Sequence, residues 1–497
     1  MSQQSRKLDR ALALASAPAA GASARGTFAL PRLALPSSLA RVAAQPKAGR
    51  VALTSMLVAT FAVVAFACAG ITTLVPSSYL TFPPWESGPL HPLVRWLPTY
   101  WLALSIGFSV VLVAMLVAYG VVLASLRTLP MRSIVICILA LHAIILLSPP
   151  QQLTDVFNYL GYARLGALHH LNPYAHVING EIHDPVWRLS SWHNLHSPYG
   201  PLFTALSYPL GLLSLPLAYW IVKVVTLLAS LAFIALIWQC ARQLGRDPRF
   251  AVAFVALNPI YVMYALPGFH NDFFMLVPML GAASLLLARR DRAAGAVLML
   301  AVAVKFTALL LLPFLLVAAR RSERRRDILV GAAVASIPLV AMSLALFGFS
   351  LPNLSDQTTL LTDFSIPNLF GLAIGIGGGA PGLLRAANVV LVLSVAYLLR
   401  RRGDWLTNAG WATLALLASL AWLMPWYVIW LLPLAALGTS LRLRRWAAAL
   451  TVFLVLTFFP VIWMVLGAVG IDPMATPVGH ASATLQQKLA VGPSPNS

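Results

Sequence analysis

The chain has 497 residues, of which 60% are hydrophobic and only 10% are charged, and its mean hydropathy is +0.83. Soluble domains carry about 25% charged residues, so this composition excludes an ordinary water-soluble protein and indicates one that crosses a membrane several times. The formal net charge is +20. In a soluble chain that charge would suggest a nucleic-acid partner, but in a membrane protein its meaning depends on where the cations lie.

Apolar segments follow a basic N-terminal tail. Residues 1–50 are rich in Ala, Ser, Pro and Arg, lack the pattern of a secretory signal, and are predicted to be disordered. A bilayer core requires roughly 20 helical residues per crossing. The apolar segments therefore predict an all-α polytopic membrane protein with about 13 transmembrane helices. These are expected at 52–76, 98–126, 133–149, 217–241, 249–267, 273–289, 293–305, 306–319, 328–348, 383–400, 408–424, 426–438 and 447–469.

The positions of the cations orient these helices, because cytoplasmic loops hold an excess of Lys and Arg. If the N-terminus is cytoplasmic, most of the Lys and Arg residues fall on the inner side. The net charge is then a topology signal rather than a nucleic-acid footprint. The same topology places the long segment 150–216 and the C-terminus outside. Within the long segment, residues 201–214 are too short to span and are predicted to form an interfacial helix.

Lys305 interrupts the apolar segment 293–319, which has Arg clusters on both sides. A charge at the bilayer centre costs about 2.5 to 3.5 kcal/mol on insertion scales, and a single crossing would also place one Arg cluster outside. Two short helices with Lys305 at the turn avoid both problems. The ammonium would then lie in a water-accessible pocket near the outer surface, where an anion such as a phosphate could compensate it.

Two polar groups on the predicted outer face could carry chemistry. Asp155 follows the helix at 133–149, and a carboxylate there can act as a general base toward a sugar hydroxyl, since its basicity rises as water is excluded. Thr154 or Asp155 could equally cap the next helix. The second group, at 268–272, contains His270 and Asp272, which could orient an acceptor, bind a metal with a third ligand, or cap a helix.

Other cations and aromatic residues on this face extend the set of candidates. Lys305 is the main candidate for holding a phosphate, while Lys223 could simply extend to the outer interface. The residues Met424-Pro425-Trp426-Tyr427, at an outer turn, have the composition of either a sugar site or an interfacial aromatic belt. The sequence contains no phosphate loop, no Gly-x-Gly-x-x-Gly after a strand and no Asp-x-Asp. Any activated substrate must then be delivered by the membrane itself.

The order of several motifs resembles the GT-C superfamily of polyprenyl-phosphate-sugar glycosyltransferases. The motifs are Asp155-Val156, Asn172-Pro173-Tyr174, the SPYGPLF segment at 197–203, His270-Asn271-Asp272 and the VKFTALLLLPF segment at 304–314. Within that superfamily the chain is most similar to the actinobacterial polyprenol-phosphate-mannose-dependent alpha-1,6-mannosyltransferases. Departures are Phe157, where Tyr is common, and Asp272, where Glu is frequent.

The resemblance extends from about 133 to 438 and implies a domain organisation. The expected parts are a disordered cytoplasmic tail at 1–50, two accessory transmembrane helices at 51–132, a GT-C-like domain at 133–469 with its outer loop at 150–216, and a disordered outer tail at 470–497.

The resemblance also implies an inverting transfer of a sugar, with mannose expected, from a polyprenyl-phosphate donor to a cell-envelope glycan or glycolipid. The reaction would occur on the non-cytoplasmic face of a bacterial inner or plasma membrane, without metal, other cofactor or nucleic acid. Asp155 would be the base and Lys305 would hold the phosphate, assisted by Lys223 or Arg164. The expected substrate-binding residues are Asn158, Tyr159, Tyr199, His270, Asn271 and Asp272. The alternative is a secondary transporter or flippase of a lipid-linked sugar, although no internal repeat of the transporter type is evident.

Overall fold

The regular elements of the described residues are all helices. The computed structural model describes residues 45, 47–69, 85–97, 101–151, 155–352 and 360–490, with 101–103 described for their backbone only. The predicted tail falls almost wholly outside these ranges, as does Thr154. The α-helices in chain order are α1 Ala48–Cys68, α2 His91–Val94, α3 Trp101–Ala124, α4 Met131–Leu146, α5 Asp155–Ala167, α6 Pro201–Gly211, α7 Leu215–Gln243, α8 Pro248–Ala256, α9 Asp272–Leu287, α10 Asp291–Val304, α11 Leu312–Ala318, α12 Ser322–Phe347, α13 Ile366–Ala373, α14 Pro381–Arg400, α15 Trp405–Ser419, α16 Val428–Leu437, α17 Leu441–Thr457, α18 Ile462–Ala468 and α19 Pro477–Ala490.

Long apolar helices make this a membrane protein. Among the described residues, five helices (α1, α3, α7, α12 and α14) are long and apolar enough to cross a bilayer, or six if α17 and α18, bent by 68° at their junction, count as one. Several of these helices expose apolar side chains, as α14 does with Val390 at 61% and Leu393 at 62%. Such surfaces are stable where lipid covers them. Every predicted apolar segment contains helix. Only five or six of the described helices are long enough to span, so the total of about 13 transmembrane helices stays a prediction.

The segment predicted as one helix at 249–267 is broken. α8 ends at Ala256, and Pro259, which lacks a backbone N–H, follows the buried Asn258. The side chain of Asn258 accepts a hydrogen bond from the N–H of Ile260 at 2.9 Å and donates one to Thr451 Oγ1 at 3.0 Å. A single π-helical turn, Tyr261–Ala265, then leads to the polar residues at 268–272. The break therefore delivers this polar segment to the end of the bundle.

Polar groups collect at two opposite ends of the bundle. At one end, Arg249 donates to the carbonyls of Leu126 and Leu129, and Arg324 pairs with Asp291. At the other end, the N–H of Gln151 bonds to the carbonyl of Pro267, and that of Gly200 bonds to the carbonyl of Val304. α10 joins the two ends, because Asp291 begins it and Lys305 follows its last residue. The Arg clusters and the candidate site are thus separated by the length of the helices.

The outer segment and the C-terminus pack on each other. α6 confirms the short helix predicted within 201–214, and it packs on α5. The C-terminal region differs from the prediction of disorder from residue 470, because Pro477–Ala490 is helical. Leu489 of that helix is buried in a cluster with Trp192 and Leu195, and Lys488 accepts a hydrogen bond from Asn194 through its carbonyl. Apolar contacts with the outer segment therefore order a stretch whose composition alone indicated none.

Candidate active site

Asp155 is the first residue of α5 and lies where the polar end of the bundle opens. A carboxylate is favoured at this position by the partial positive charge of a helix N-terminus. Its side chain is 14% exposed, and its Oδ2 atom lies 3.4 Å from Nδ1 of His270. The carboxylate is thus sheltered by protein and still reachable from outside, as a general base requires.

His270 is held on its other sides by packing. Its ring stacks on Trp426, with 3.8 Å between the ring centroids and 15° between the planes. A Cβ atom on Gly268 would lie 2.2 Å from His270 Nε2, so no larger residue fits there without a shift. Phe269, between them, has a φ of 49°, a left-handed conformation that costs a non-glycine residue about 1 kcal/mol or more and that concentrates at functional sites. Of the two ring nitrogens, Nδ1 faces the carboxylate of Asp155, whereas the buried Nε2 has no hydrogen-bond partner among the described residues.

The Asp272 carboxylate compensates the charge of Lys305. Asp272 begins α9 and its side chain is 2% exposed, whereas that of Lys305 is 21% exposed. The Lys305 ammonium donates to Asp272 Oδ1 at 2.8 Å, and Trp430 Nε1 donates to the same atom at 2.6 Å. Lys305 itself has an extended backbone between α10 and the 3₁₀-helix Phe306–Leu311, as expected for a turn between two short helices.

Two aromatic rings, those of Tyr427 and Trp430, lie against the Lys305 ammonium. The Lys305 ammonium lies 4.9 Å from the ring centroid of Trp430 and 5.1 Å from that of Tyr427, within the range of cation–π attraction. Tyr427 and Trp430 are stacked at 4.5 Å. Sequence inspection named Trp426 and Tyr427 but missed Trp430, which lies inside the apolar segment 426–438. The signal that could have found it is its spacing of three and four residues from these two, which places all three on one helix face.

Tyr159 and Tyr199 join the two halves of the site. The hydroxyl of Tyr159, one turn after Asp155, accepts a hydrogen bond from the N–H of Asn271 at 3.1 Å. Its ring meets that of Tyr199 edge to face at 4.9 Å. Tyr159 is buried, whereas Tyr199 is partly exposed.

Gly200 explains part of the SPYGPLF segment. A Cβ atom at Gly200 would lie 2.3 Å from the carbonyl oxygen of Ala303, while the Gly200 N–H bonds to the carbonyl of Val304 at 3.0 Å. The next residue, Pro201, occupies the first turn of α6, where its missing N–H costs nothing. The glycine therefore allows α6 to start directly against the residues that precede Lys305.

Gly200→Ala is expected to lower the free energy of unfolding by about 1 to 3 kcal/mol, the usual cost of inserting a methyl group into a packed contact. Thermal unfolding in detergent measures this change. Gly107→Ala is the matched control, because a Cβ atom there meets no atom within 4 Å. Equal midpoint temperatures of unfolding for the two variants would show that the contact between Gly200 and Ala303 does not constrain the fold.

Arg164 and Asn158 bind residues of the outer segment. Arg164 Nε donates to both carboxylate oxygens of Asp184, at 2.8 and 2.9 Å, and His169 Nε2 lies 2.7 Å from Oδ2 of the same group. The side chain of Asn158 donates to the carbonyl of Trp192 and accepts from its N–H. These bonds tie the outer segment to α5. A role of either residue toward a substrate would require release of the partners seen here.

The Asp184 cluster is expected to make the outer segment sensitive to acid. Burial alone would raise the pKa of Asp184, but hydrogen bonds from His169, the N–H of Val186 and Arg164 outweigh it and hold the pKa below its ordinary value. A depressed pKa contributes stability that is present above the unfolded value of about 3.9 and is lost as the pH falls through the folded value. Proteolysis of the outer segment should accelerate below about pH 4 in the wild type.

Asp184→Asn is the matched variant for this pH dependence. It should already be destabilised at neutral pH, by about 3 kcal/mol, because it leaves Arg164 without its charged partner. Its proteolysis should no longer change steeply as the pH falls from 5 to 3. The same acid sensitivity in wild type and variant would mean that another group titrates.

Lys223 lies behind the site and is fully buried. Its ammonium donates to the carbonyl of Ser148 at 2.7 Å and lies 4.0 Å from the ring centroid of Trp220 and 5.2 Å from that of Phe269. Ser148 precedes the segment that leads to Asp155, and Phe269 precedes His270. Lys223 is thus placed to support both halves of the site, and contact with a phosphate would require it to leave the Ser148 carbonyl.

Within the described part of the chain, no group of three or more His, Cys, Asp or Glu side chains is arranged to hold a metal. His270 and Asp272 instead have separate partners, Asp155 and Lys305. The fold and this site define a class: a helical membrane protein with a carboxylate–imidazole pair and a carboxylate–ammonium pair at one end of its bundle.

Comparison with known proteins identifies the family. A family model described as "Alpha-(1->6)-mannopyranosyltransferase, N-terminal domain" matches residues 42–321, more than half of the chain. The chain therefore belongs to this alpha-(1->6)-mannopyranosyltransferase family. The match starts before α1 and includes the segment 51–132, whose accessory role stays a prediction.

Alpha-(1->6)-mannopyranosyltransferase A of Mycobacterium tuberculosis is 27% identical over 345 residues, which cover 62% of this chain and 65% of that protein. The match thus spans just under two thirds of the length of this relative. No solved structure matches the chain significantly.

Proposed function

We propose that the chain is an inverting mannosyltransferase that moves mannose from a polyprenyl-phosphate donor to a hydroxyl of a cell-envelope glycan or glycolipid. The family match and the name of the mycobacterial relative support the transfer of mannose. The structural observation that carries the proposal is the pairing of a partly exposed base, Asp155, with a partly exposed cation, Lys305, through the single short segment His270–Asp272.

In this proposal Asp155 accepts the proton of the acceptor hydroxyl. The acceptor oxygen then forms a bond to the anomeric carbon from the face opposite the phosphate, and the bond between that carbon and the phosphate oxygen breaks. His270, fixed by Trp426, holds the Asp155 carboxylate in place. Tyr199, which is partly exposed, would contact the sugar, and the buried Tyr159 supports it from behind through the edge-to-face contact of the two rings. General bases of this kind contribute about 10² to 10⁴ in rate.

Lys305 would receive the departing lipid phosphate. Asp272 and Trp430 fix the ammonium from one side, and 21% of the Lys305 side chain is exposed on the other. A fixed cation at the point where negative charge develops is an efficient form of catalysis. A small apolar pocket lined by Met275, Leu310 and Trp430 adjoins Lys305 through the Trp430 ring.

The orientation in the membrane follows the distribution of charge. The Arg clusters lie at the end of the bundle opposite the candidate site, so the positive-inside rule supports a cytoplasmic location for these clusters and a non-cytoplasmic location for the site. We propose that the thirteen apolar segments cross or enter the bacterial inner or plasma membrane, including those whose helices are too short to span it unbent. A donor anchored in the membrane by its lipid could then reach the site laterally.

Transfer by the purified protein tests the proposal. The full chain, reconstituted in lipid vesicles, is incubated with radiolabelled mannosyl polyprenyl phosphate and a short alpha-1,6-linked mannoside acceptor. The proposal expects a product one mannose longer and release of polyprenyl phosphate in equal amount. Transfer from GDP-mannose alone, or hydrolysis without extension of the acceptor, would contradict it.

The alternative function, transport of a lipid-linked sugar, rests on the two helix breaks near Pro259 and Lys305. Broken helices are common in transporters. The same vesicles distinguish the two functions. Movement of labelled lipid-linked mannose between the leaflets without any new glycosidic bond would favour transport over transfer.

A further inference from the structure

A second cavity lies at the end of the bundle opposite the candidate active site. It has a volume of about 330 Å³. The cavity lies between the turn that follows α7 and the region joining α16 to α17. The part of α7 from Lys223, behind the candidate active site, to Gln243 at the cavity is roughly 30 Å long at 1.5 Å per residue, so the two sites are separate. Its lining includes Arg246, Asp247, Phe250, Thr439 and Arg444.

The local sequence aims Arg246 into this cavity. Gly245, with a φ of 66°, ends α7 by turning the chain back, and the N–H of Arg246 bonds to the carbonyl of Ala241 at 2.9 Å. The Nη1 atom of Arg246 is buried and has no hydrogen-bond partner among the described residues. A buried charged donor left without a partner costs several times more than a neutral one, so an anion is expected to complete it.

A second guanidinium lines the same cavity. Arg444 is 6% exposed and lies 5.0 Å from the ring centroid of Phe250. It donates to the carbonyls of Ala435 and Gly438, at 3.2 and 2.6 Å, which hold it in place without neutralising it. The acid in the lining, Asp247, is engaged by Arg249 through bonds of 2.8 and 2.5 Å. A second acid, Asp404, accepts a hydrogen bond from the N–H of Thr439 in the lining and acts on Arg444 through its charge. Because Arg249 offsets Asp247, the two guanidiniums of Arg246 and Arg444 face one further carboxylate, and the cavity keeps a net positive charge.

We propose that this cavity binds a phosphate group. Guanidinium groups in a fixed arrangement match the oxygens of a phosphate, and basic pockets between helices at the cation-rich side of a membrane protein bind acidic lipid headgroups. A volume of about 330 Å³ fits a phosphate with a small polar substituent and excludes a whole lipid. The ligand is thus the headgroup of an anionic phospholipid or a small soluble phosphate. This site does not depend on the transfer reaction proposed above.

Binding of two probes to the purified full-length protein tests the proposal. One probe is phosphatidylglycerol, measured by native mass spectrometry against phosphatidylcholine. The other is inorganic phosphate, measured as thermal stabilisation against chloride at equal ionic strength. Arg246→Gln removes the unpartnered guanidinium, and Arg242→Gln removes an exposed charge one turn earlier on the same helix end. Arg246→Lys keeps the charge and removes the planar fork.

The affinity of the wild type for its ligand, phosphatidylglycerol or inorganic phosphate, should be about tenfold higher than that of Arg246→Gln. This ratio corresponds to one guanidinium–phosphate contact. Arg242→Gln should stay within about twofold of the wild type, and Arg246→Lys should lie between the two. A response to phosphatidylglycerol alone identifies a lipid headgroup, and a response to inorganic phosphate identifies a soluble ligand. Equal losses in Arg246→Gln and Arg242→Gln, or no response to either probe, would overturn the proposal.

Discussion

Asp155→Asn is expected to reduce mannose transfer by about 10³-fold, within the range by which a positioned general base accelerates a reaction. The amide has nearly the same shape as the carboxylate, so the contact with His270 and the start of α5 should be preserved. What is lost is the ability to take a proton from the acceptor hydroxyl. The affinity for the donor should change little, because Lys305 and not Asp155 faces the phosphate in the proposed arrangement.

Glu181→Gln is the matched control for Asp155→Asn. Glu181 is another partly exposed carboxylate of the outer segment, and it lies 3.4 Å from His169, away from the candidate site. Its replacement should leave transfer within about twofold of the wild type, since an exposed ion pair contributes little. If folded Asp155→Asn protein transfers mannose as fast as Glu181→Gln does, Asp155 is not the base.

A double-mutant cycle of Asp272→Asn and Lys305→Met is expected to separate stability from catalysis. Each single change leaves one charged group of the Lys305–Asp272 ion pair without its partner and should lower the free energy of unfolding by about 3 kcal/mol. The double variant should lose clearly less unfolding free energy than the sum of the two single losses, because it leaves neither charged group without a partner. Activity should behave differently: Lys305→Met should lose transfer by about 10²-fold, as removal of one donor to a developing anion does.

The double variant is the informative one. It should recover stability, measured by unfolding titrations in mixed detergent micelles, and remain as inactive as Lys305→Met. If it regains activity, Lys305 serves the fold and does not hold the phosphate. A coupling energy near zero would mean that the ion pair between Lys305 and Asp272 does not form in solution.

Lys305 shows how far the sequence can lead. An ammonium in an apolar stretch between two Arg clusters requires a turn and a compensating anion, and the structure has both the turn and the anion. The anion in the structure is Asp272, which belongs to a different motif. Which carboxylate meets a buried cation depends on the antiparallel packing of α9 and α10, and helical periodicity within one segment does not encode that choice.

Lys223 and Arg164 illustrate the opposite case. Both have the charge and the approximate depth that a phosphate site needs, so sequence reasoning grouped them with Lys305. The structure places Lys223 on the Ser148 carbonyl and Arg164 on Asp184. Composition and hydropathy give the depth of a residue in the membrane but not the direction of its side chain around the helix axis relative to neighbouring helices. The phosphate roles of these two residues stay predictions.

The sequence analysis missed Trp430 and the C-terminal helix for related reasons. In the sequence, Trp430 is one more apolar residue of a buried helix. Only the structure shows that its indole N–H donates a hydrogen bond to Asp272. The helix Pro477–Ala490 has a composition that indicates disorder, and it forms where Leu489 packs on the outer segment. Both features depend on partners more than 100 residues away in the chain.

The sequence by itself determined that this is a helical membrane protein, that each apolar segment contains helix, and that cations and the candidate polar residues collect at different ends of the bundle. These follow from the energy of placing each residue in water or hydrocarbon, which depends on local composition. Tertiary structure alone decided that Asp155 meets His270, that Lys305 meets Asp272, and that Arg246 and Arg444 share a cavity. Those pairings arise from helix packing, whose close contacts depend on shape at single positions such as Gly200, and no local pattern specifies them.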